Sequence, residues 1–143
     1  MHIDPRGATV RGPSDRFTGD VWVDTIARPQ PPGYATVALV RFAPGARTAW
    51  HVHRHGQTLH ITQGTAVVHT RDGRTIIAGA GQSVHTPPGE WHWHGAADDS
   101  FMEHLAVSTL APSEKDSAVE WAEHITAEEY ASALTHNERP SNP

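Results

Sequence analysis

G-A-R-T-A-W-H-V-H-R-H-G-Q-T-L-H-I-T-Q-G, residues 45–64, sets His51 and His53 one residue apart and Gln57 four positions further on. On an extended strand the side chains of i and i+2 leave the same face, so His51 and His53 project together. The glycine-containing turn Arg54-His55-Gly56 can then bring Gln57 back beside them. Imidazole nitrogen ligates Zn, Fe, Ni, Cu and Mn, and an amide oxygen adds a hard neutral donor. A second stretch, G-Q-S-V-H-T-P-P-G-E-W-H-W-H-G-A at residues 81–96, carries His92 near its centre. The two stretches read as halves of one metal site, with His51, His53, Gln57 and His92 as its ligands. Two histidines on a strand are a weak signal. The spacing G-x5-H-x-H-x3-Q-x6-G followed by G-x5-P-x-G-x2-H is far more specific.

Outward from these stretches, the chain reads as many short strands. Residues 1–16 are rich in Gly, Pro, Arg and Asp and lack periodicity, as in an arm or loop. Phe17–Ile26 alternates and predicts a strand. Arg28–Gly33 holds three prolines and breaks it, because proline donates no ladder hydrogen bond. Strands are predicted over Tyr34–Phe42, Leu59–His69 with an interruption at Gln63-Gly64, Thr75–Ala78, Ser83–Thr86, Trp91–His94 and Phe101–Thr109, with Asp72-Gly73 as a hairpin turn. Short strands with turns every ~8–12 residues indicate a sandwich or barrel. After Pro112 the pattern changes. Ser117-Ala-Val-Glu120 and Thr126-Ala-Glu-Glu129 both match capping boxes, which predicts helices over 118–124 and 127–134. Trp121 and Ile125, four apart, would seal one end of the barrel. The last residues, 137–143, are expected to fray.

Composition narrows the function classes. The chain has 143 residues, the size of a single domain with a sizeable core. Its formal net charge of −5 argues against a nucleic-acid partner. It contains no cysteine, which removes disulfides and thiolate ligands. No apolar run is long enough to cross a membrane, and the N-terminus lacks a signal pattern; a cytoplasmic location is the expectation. Twelve histidines is an unusual number, and they are dispersed rather than contiguous as a purification tag would be.

The two motifs resemble those of the cupins. Gly45, His51, His53, Gln57 and Gly64 fit the first; Gly81, Pro87, Gly89 and His92 fit the second, and residues 65–80 form a short gap between them. Two positions depart from the pattern: Gln57 stands where a glutamate ligand is usual, and Ala96 where motif two usually ends in asparagine. More narrowly, G-A-R-T-A-W-H-x-H-x-x-G-Q-T-L, P-G-E-x-H-W-H-G-A and the later H-L-A resemble the small manganese-dependent hydroxynitrile lyase cupins. That likeness runs from about Phe17 into the tail. It implies an all-β fold, an antiparallel β-barrel or jelly roll. The arm and edge strand would span 1–35, the barrel 36–110 and a helical tail 111–143 of one domain. It also implies a homodimer, and one divalent ion, manganese first, with iron, nickel, cobalt or zinc able to use the same donors.

The resemblance matches His104 to a histidine that assists catalysis. His94, two residues after His92, points the same way along the strand. Both are read as acid/base residues, a task suited to imidazole. The resemblance turns Ala38, Val40 and Phe42 inward as pocket wall. Ser108 shares a face with His104 and Ala106 and should line the same pocket, which leaves room for a small organic substrate. Trp50, Trp91 and Trp93 alternate with the ligands and face core or interface. Arg47 is read as a surface salt-bridge residue, and His55 as the remaining histidine to follow. The reaction expected is a lyase cleavage of a small hydroxy or carbonyl compound. The alternatives are an Fe(II) or Mn(II) dioxygenase and a non-catalytic small-molecule binder. Gln57 tilts away from oxygen chemistry, since the carboxylate of a two-His-one-carboxylate site is missing.

Overall fold

A computed structural model describes residues 1–113 and 118–136. Thirteen strands precede one helix among the described residues. In order they are β1 (Val10–Arg11), β2 (Phe17–Thr18), β3 (Val21–Ala27), β4 (Ala35–Phe42), β5 (Arg47–Thr48), β6 (His51–His53) and β7 (Gln57–Gln63). Then come β8 (Thr65–Thr70), β9 (Thr75–Gly79), β10 (Ser83–Thr86), β11 (His92–Ala96), β12 (Met102–Thr109), β13 (Val119–Trp121) and α1 (Ala127–Thr135). Among the described residues no helix is long and apolar enough to cross a membrane.

Two curled antiparallel sheets form the barrel. One runs β1-β3-β4-β12-β7-β10; the other runs β13-β6-β11-β5-β2, with β8 and β9 joined to it through β11. This is the all-β architecture the turn spacing predicts. In the first sheet the inward residues stack in register across three strands. Thr36, Ser108 and Gln57 form one layer; Ala38, Ala106 and Leu59 the next; Val40, His104 and Ile61 the third. Phe42 and Met102 pair beyond them, both essentially inaccessible to solvent. Alternation places Ala38, Val40 and Phe42 on one face, which keeps Leu39 and Arg41 on the other.

Two glycines show why the first motif needs them. Gly56 has φ 79° and its N–H donates to the His53 carbonyl at 3.3 Å, closing the turn that returns the chain to Gln57. Gly64 has φ 74°, and a Cβ there would lie 1.8 Å from the Phe101 carbonyl oxygen. A side chain at position 64 would push β12 away from β7.

A second apolar cluster lies outside the barrel, beneath α1. Trp50, Val67 and Trp93 meet Ile125, Tyr130 and Ala133 there. Burial of each large side chain stabilises the folded state by about 1.5–3 kcal/mol. The helix begins on the predicted capping box: Thr126 Oγ1 accepts from Glu129 N at 3.1 Å and Glu129 Oε2 accepts from Thr126 N at 2.8 Å. The Tyr130 hydroxyl donates to the Ala96 carbonyl at 2.6 Å.

Several sequence expectations are corrected. Residues 118–124 contain a strand in place of a helix: β13 pairs with β6 through Val119–His53, Glu120–Val52 and Trp121–His51. Ser117, the first residue of that capping box, lies outside the described residues, as do 137–143. The free edge of β6 offers this segment ladder hydrogen bonds, and Val-Glu-Trp alternates around an exposed Glu120. Tertiary pairing overrides the local helix signal. Ile125 therefore packs under α1, while Trp121 turns towards His51 and Phe17. The arm is also more ordered than predicted, since β1 pairs with β3. Arg47 makes no salt bridge among the described residues. Its guanidinium donates to the Ile125 carbonyl at 2.8 and 3.3 Å and to that of Gly45 at 3.1 Å, and lies 4.8 Å from the centre of the Tyr130 ring.

Candidate metal centre

β6, β7 and β11 bring the two motifs together. His51 and His92 are direct cross-strand partners. The ligand atoms of His51, His53 and His92 all lie within 4.8 Å of one another, and all three side chains are buried. Ring centroids stand 4.3 Å apart for His51–His92, 5.3 Å for His51–His53 and 5.8 Å for His53–His92.

Hydrogen bonds fix two of the tautomers. His51 Nδ1 lies 3.0 Å from the Ala49 carbonyl, and His92 Nδ1 lies 3.0 Å from the Glu90 carbonyl. A carbonyl only accepts, so each Nδ1 carries the hydrogen and each Nε2 presents a lone pair. A second partner of this kind is the usual orienting device for a metal-binding imidazole. Gln57 Oε1 stands 3.3 Å from His92 Nε2. With His92 in this tautomer, two acceptors face each other across that gap. A cation, or a half-turn of the Gln57 amide, resolves the conflict, and the uncharged nitrogen and oxygen donors fit a divalent ion.

Burial also keeps the rings neutral. Desolvation, reinforced by the neighbouring His92, holds His51 well below its ordinary 6.5 and His53 at about 4. Desolvation lowers His92 as well. Neutral imidazole is the ligating form. The cluster of three histidines includes no carboxylate among the described residues.

Further into the barrel a second histidine pair adjoins the cluster. His94 stands 5.1 Å from His51 and 5.7 Å from His92, centroid to centroid. His104 Nε2 lies 3.2 Å from His94 Nδ1. Phe42 packs against both rings, at 6.0 and 5.3 Å. His104 Nδ1 is buried without a hydrogen-bond partner among the described residues. Burial depresses both groups, His104 to about 4 and His94 well below 6.5, where the His104 ring adds to the effect.

The predicted pocket residues divide by depth. Ala38 and Ser108 line a cavity of ≈ 220 Å³ together with His53, Gln57, Thr36 and Ala106. Val40 and Phe42 lie on the same strand face but are packed into the core, at 7% and 0% exposure. His55 is exposed in the turn. Trp50 and Trp93 face the outer cluster under α1, with Trp91 packed against it.

The sequence reading missed one aromatic residue at the site. The Trp121 indole stacks on the His51 ring, 4.6 Å between centroids and 26° from parallel. The available signal was the β-branched and aromatic alternation of Val119-Glu120-Trp121, which the capping-box match outweighed.

Comparison with known proteins agrees with this arrangement. The cupin domain model matches residues 38–108. An (R)-mandelonitrile lyase of Granulicella tundricola is 42% identical over 123 residues, covering 86% of this chain and 92% of that protein. The crystal structure of a cupin-like protein from Thermotoga maritima superposes with a TM-score of 0.79 at 38% identity, covering 93% of this chain and 97% of the other. A cupin 2 conserved barrel domain protein from Rhodopseudomonas palustris gives a TM-score of 0.68 at 16% identity, covering 94% and 99%. At that identity the likeness concerns the fold alone.

Proposed function

The chain belongs to the cupin family, and on that footing we propose that it is a metal-dependent lyase that splits a small α-hydroxynitrile into a carbonyl compound and hydrogen cyanide. His51, His53, Gln57 and His92 would hold one divalent ion, manganese by preference. The observation that carries the reading is a pairing: an uncharged donor set of three imidazoles and one amide beside a separate pair of imidazoles. The 42% identity to a mandelonitrile lyase supports the choice of bond.

The bound ion would supply Lewis-acid charge that stabilises negative charge on a substrate oxygen, undiminished by any carboxylate ligand. The remaining work falls to the chain. Ala38 and Ala106, small residues in register on β4 and β12, leave room for the substrate beside His53 and Gln57. Ser108 at the mouth offers a hydroxyl to orient it. The His94–His104 pair, one layer deeper than Ala38 and Ala106 and outside the lining of that cavity, would take the proton from a substrate hydroxyl that reaches past Ala106 as the carbon–carbon bond to cyanide breaks. The same pair returns that proton to the departing cyanide, so no oxidant or reductant is consumed. The walls formed by Val40, Phe42 and Ile61 keep water out.

The test is elemental analysis of the purified protein, followed by mandelonitrile turnover with and without oxygen. Cyanide and benzaldehyde released equally in both, and abolished by chelation, is the expected outcome. Oxygen uptake coupled to product would favour the dioxygenase. Binding without product would favour a sensor. Val10, Ile26 and Val107, exposed on the six-stranded sheet, support a homodimer; sedimentation velocity would check it.

A further inference from the structure

The C-terminal segment 119–123 braces both halves of the candidate centre without contributing a donor to it. Trp121 stacks on His51 from β13, and the register sets Trp121 directly opposite His51. The hydrogen bond that restrains the same ring runs from Nδ1 to the Ala49 carbonyl. A single hydrogen bond restrains the ring at one edge; the stacked indole adds a restraint across its face. Trp121 is itself held, by the Phe17 ring at 6.1 Å and the Arg16 guanidinium at 5.3 Å.

The chain then ties itself to the residue before His51. Ala122 N donates to the Trp50 carbonyl at 2.8 Å, and Trp50 N donates to the Glu123 carbonyl at 3.0 Å. The Glu123 carboxylate pairs with Arg71. The Arg71 guanidinium lies over two indoles, Trp50 at 4.8 Å and Trp91 at 5.1 Å. Trp50 and Trp91 are the residues immediately before His51 and His92. One short segment therefore stacks on a ring of the first motif and, through Arg71, grips the approach to the second.

We propose that Trp121 is a positioning residue for His51, and that docking of segment 119–123 is thermodynamically linked to metal occupancy, with Arg71 and Glu123 as the latch. This rests on the reading that His51, His53 and His92 hold a divalent ion. When the segment lifts, His51 regains rotational freedom that binding must then remove. Linkage is reciprocal, so an ion that prefers the docked segment must also hold the segment down. Loss of the outer partner of a ligating histidine typically weakens metal binding about 10–100-fold.

The experiment measures Mn²⁺ and Co²⁺ dissociation constants of the full chain by chelator competition, for wild type, Trp121→Ala, Trp121→Phe and Arg71→Leu. Amide hydrogen exchange of residues 119–123 is followed with and without Mn²⁺. Expected are affinity losses of about 10–100-fold in Trp121→Ala, near-wild-type affinity in Trp121→Phe, and slower exchange at 119–123 when the ion is bound. Folded Trp121→Ala with wild-type affinity overturns the inference, as does exchange at 119–123 that ignores the ion. Should Trp121→Ala not fold, Arg71→Leu decides: weakened binding supports the linkage, unchanged binding overturns it. A wild-type chain that takes up neither ion overturns the metal reading, and this inference falls with it.

Discussion

His51 and His92 are tied to backbone carbonyls, whereas His94 and His104 are tied to each other. In the first pair each Nδ1 hydrogen is committed to a carbonyl at 3.0 Å, so the lone pair on Nε2 has one fixed direction. In the second pair the contact between His104 Nε2 and His94 Nδ1 needs one donor and one acceptor. Either assignment leaves His104 Nδ1 without a partner among the described residues. An unmet buried polar atom costs about 1–3 kcal/mol. The same residue type, on one pair of sheets, thus sits in two different hydrogen-bonding environments, to which the proposed function gives two tasks. Fixed tautomers suit holding a cation, and an open one suits moving a proton.

Removing a ring from each pair is the strongest way to break this comparison. His92→Ala should abolish stoichiometric metal uptake, measured by elemental analysis, and bring mandelonitrile cleavage to background. His104→Ala should retain the metal and lose about 10²–10⁴ in turnover. If His104→Ala also sheds the ion, the division of labour is wrong. If it turns over normally, the proton belongs to another group.

What the sequence revealed follows the same division. The convergence of His51, His53 and Gln57 was legible because strand alternation and a glycine turn are local, whereas the approach of His92 depends on β6 pairing with β11 and was legible only through the paired spacing of the two motifs. Gly56 does what the spacing requires, returning Gln57 to the face of His51 and His53. The deeper pair was legible only in part. Alternation aims His94, but the approach of His104 to it depends on β12 pairing with β4 and β7, a contact between distant segments. β13 was misread for the same reason. Thr126 and Ser117 begin equally good capping boxes in sequence, yet the segment after Ser117 forms a strand, because the free edge of β6 competes for residues 119–121. Val40 and Phe42 share a face with Ala38, but only layer-by-layer register shows that they lie below the cavity.

A smaller effect sharpens the view of the first pair. Gln57→Glu would supply an anionic donor and reduce the net charge of the centre. Metal affinity should rise while turnover falls by roughly tenfold, equivalent to about 1.4 kcal/mol of transition-state stabilisation. Titration with a competing chelator and steady-state kinetics read the two changes separately. Turnover that rises with the carboxylate would mean that Lewis acidity is not what limits the reaction.

The least conspicuous effect concerns acid. Burial lowers His51, His53, His92, His94 and His104 below their ordinary 6.5, with His53 and His104 at about 4. In the metal-free protein the unfolded chain therefore binds protons that the folded chain refuses. Stability is fully present above about pH 6.5 and is lost as pH falls towards the folded values near 4. Urea unfolding of chelator-treated protein should show a lower midpoint at pH 5 than at pH 7.5, and an unchanged midpoint would mean the rings are open to solvent. An ion at the first pair raises stability but keeps those rings unprotonated in the folded state, so the loss persists in loaded protein and extends to lower pH. The share of the loss that disappears in a doubly substituted His94→Phe, His104→Phe chain is the share the second pair contributes; His69, which burial also lowers, remains in that chain as a background.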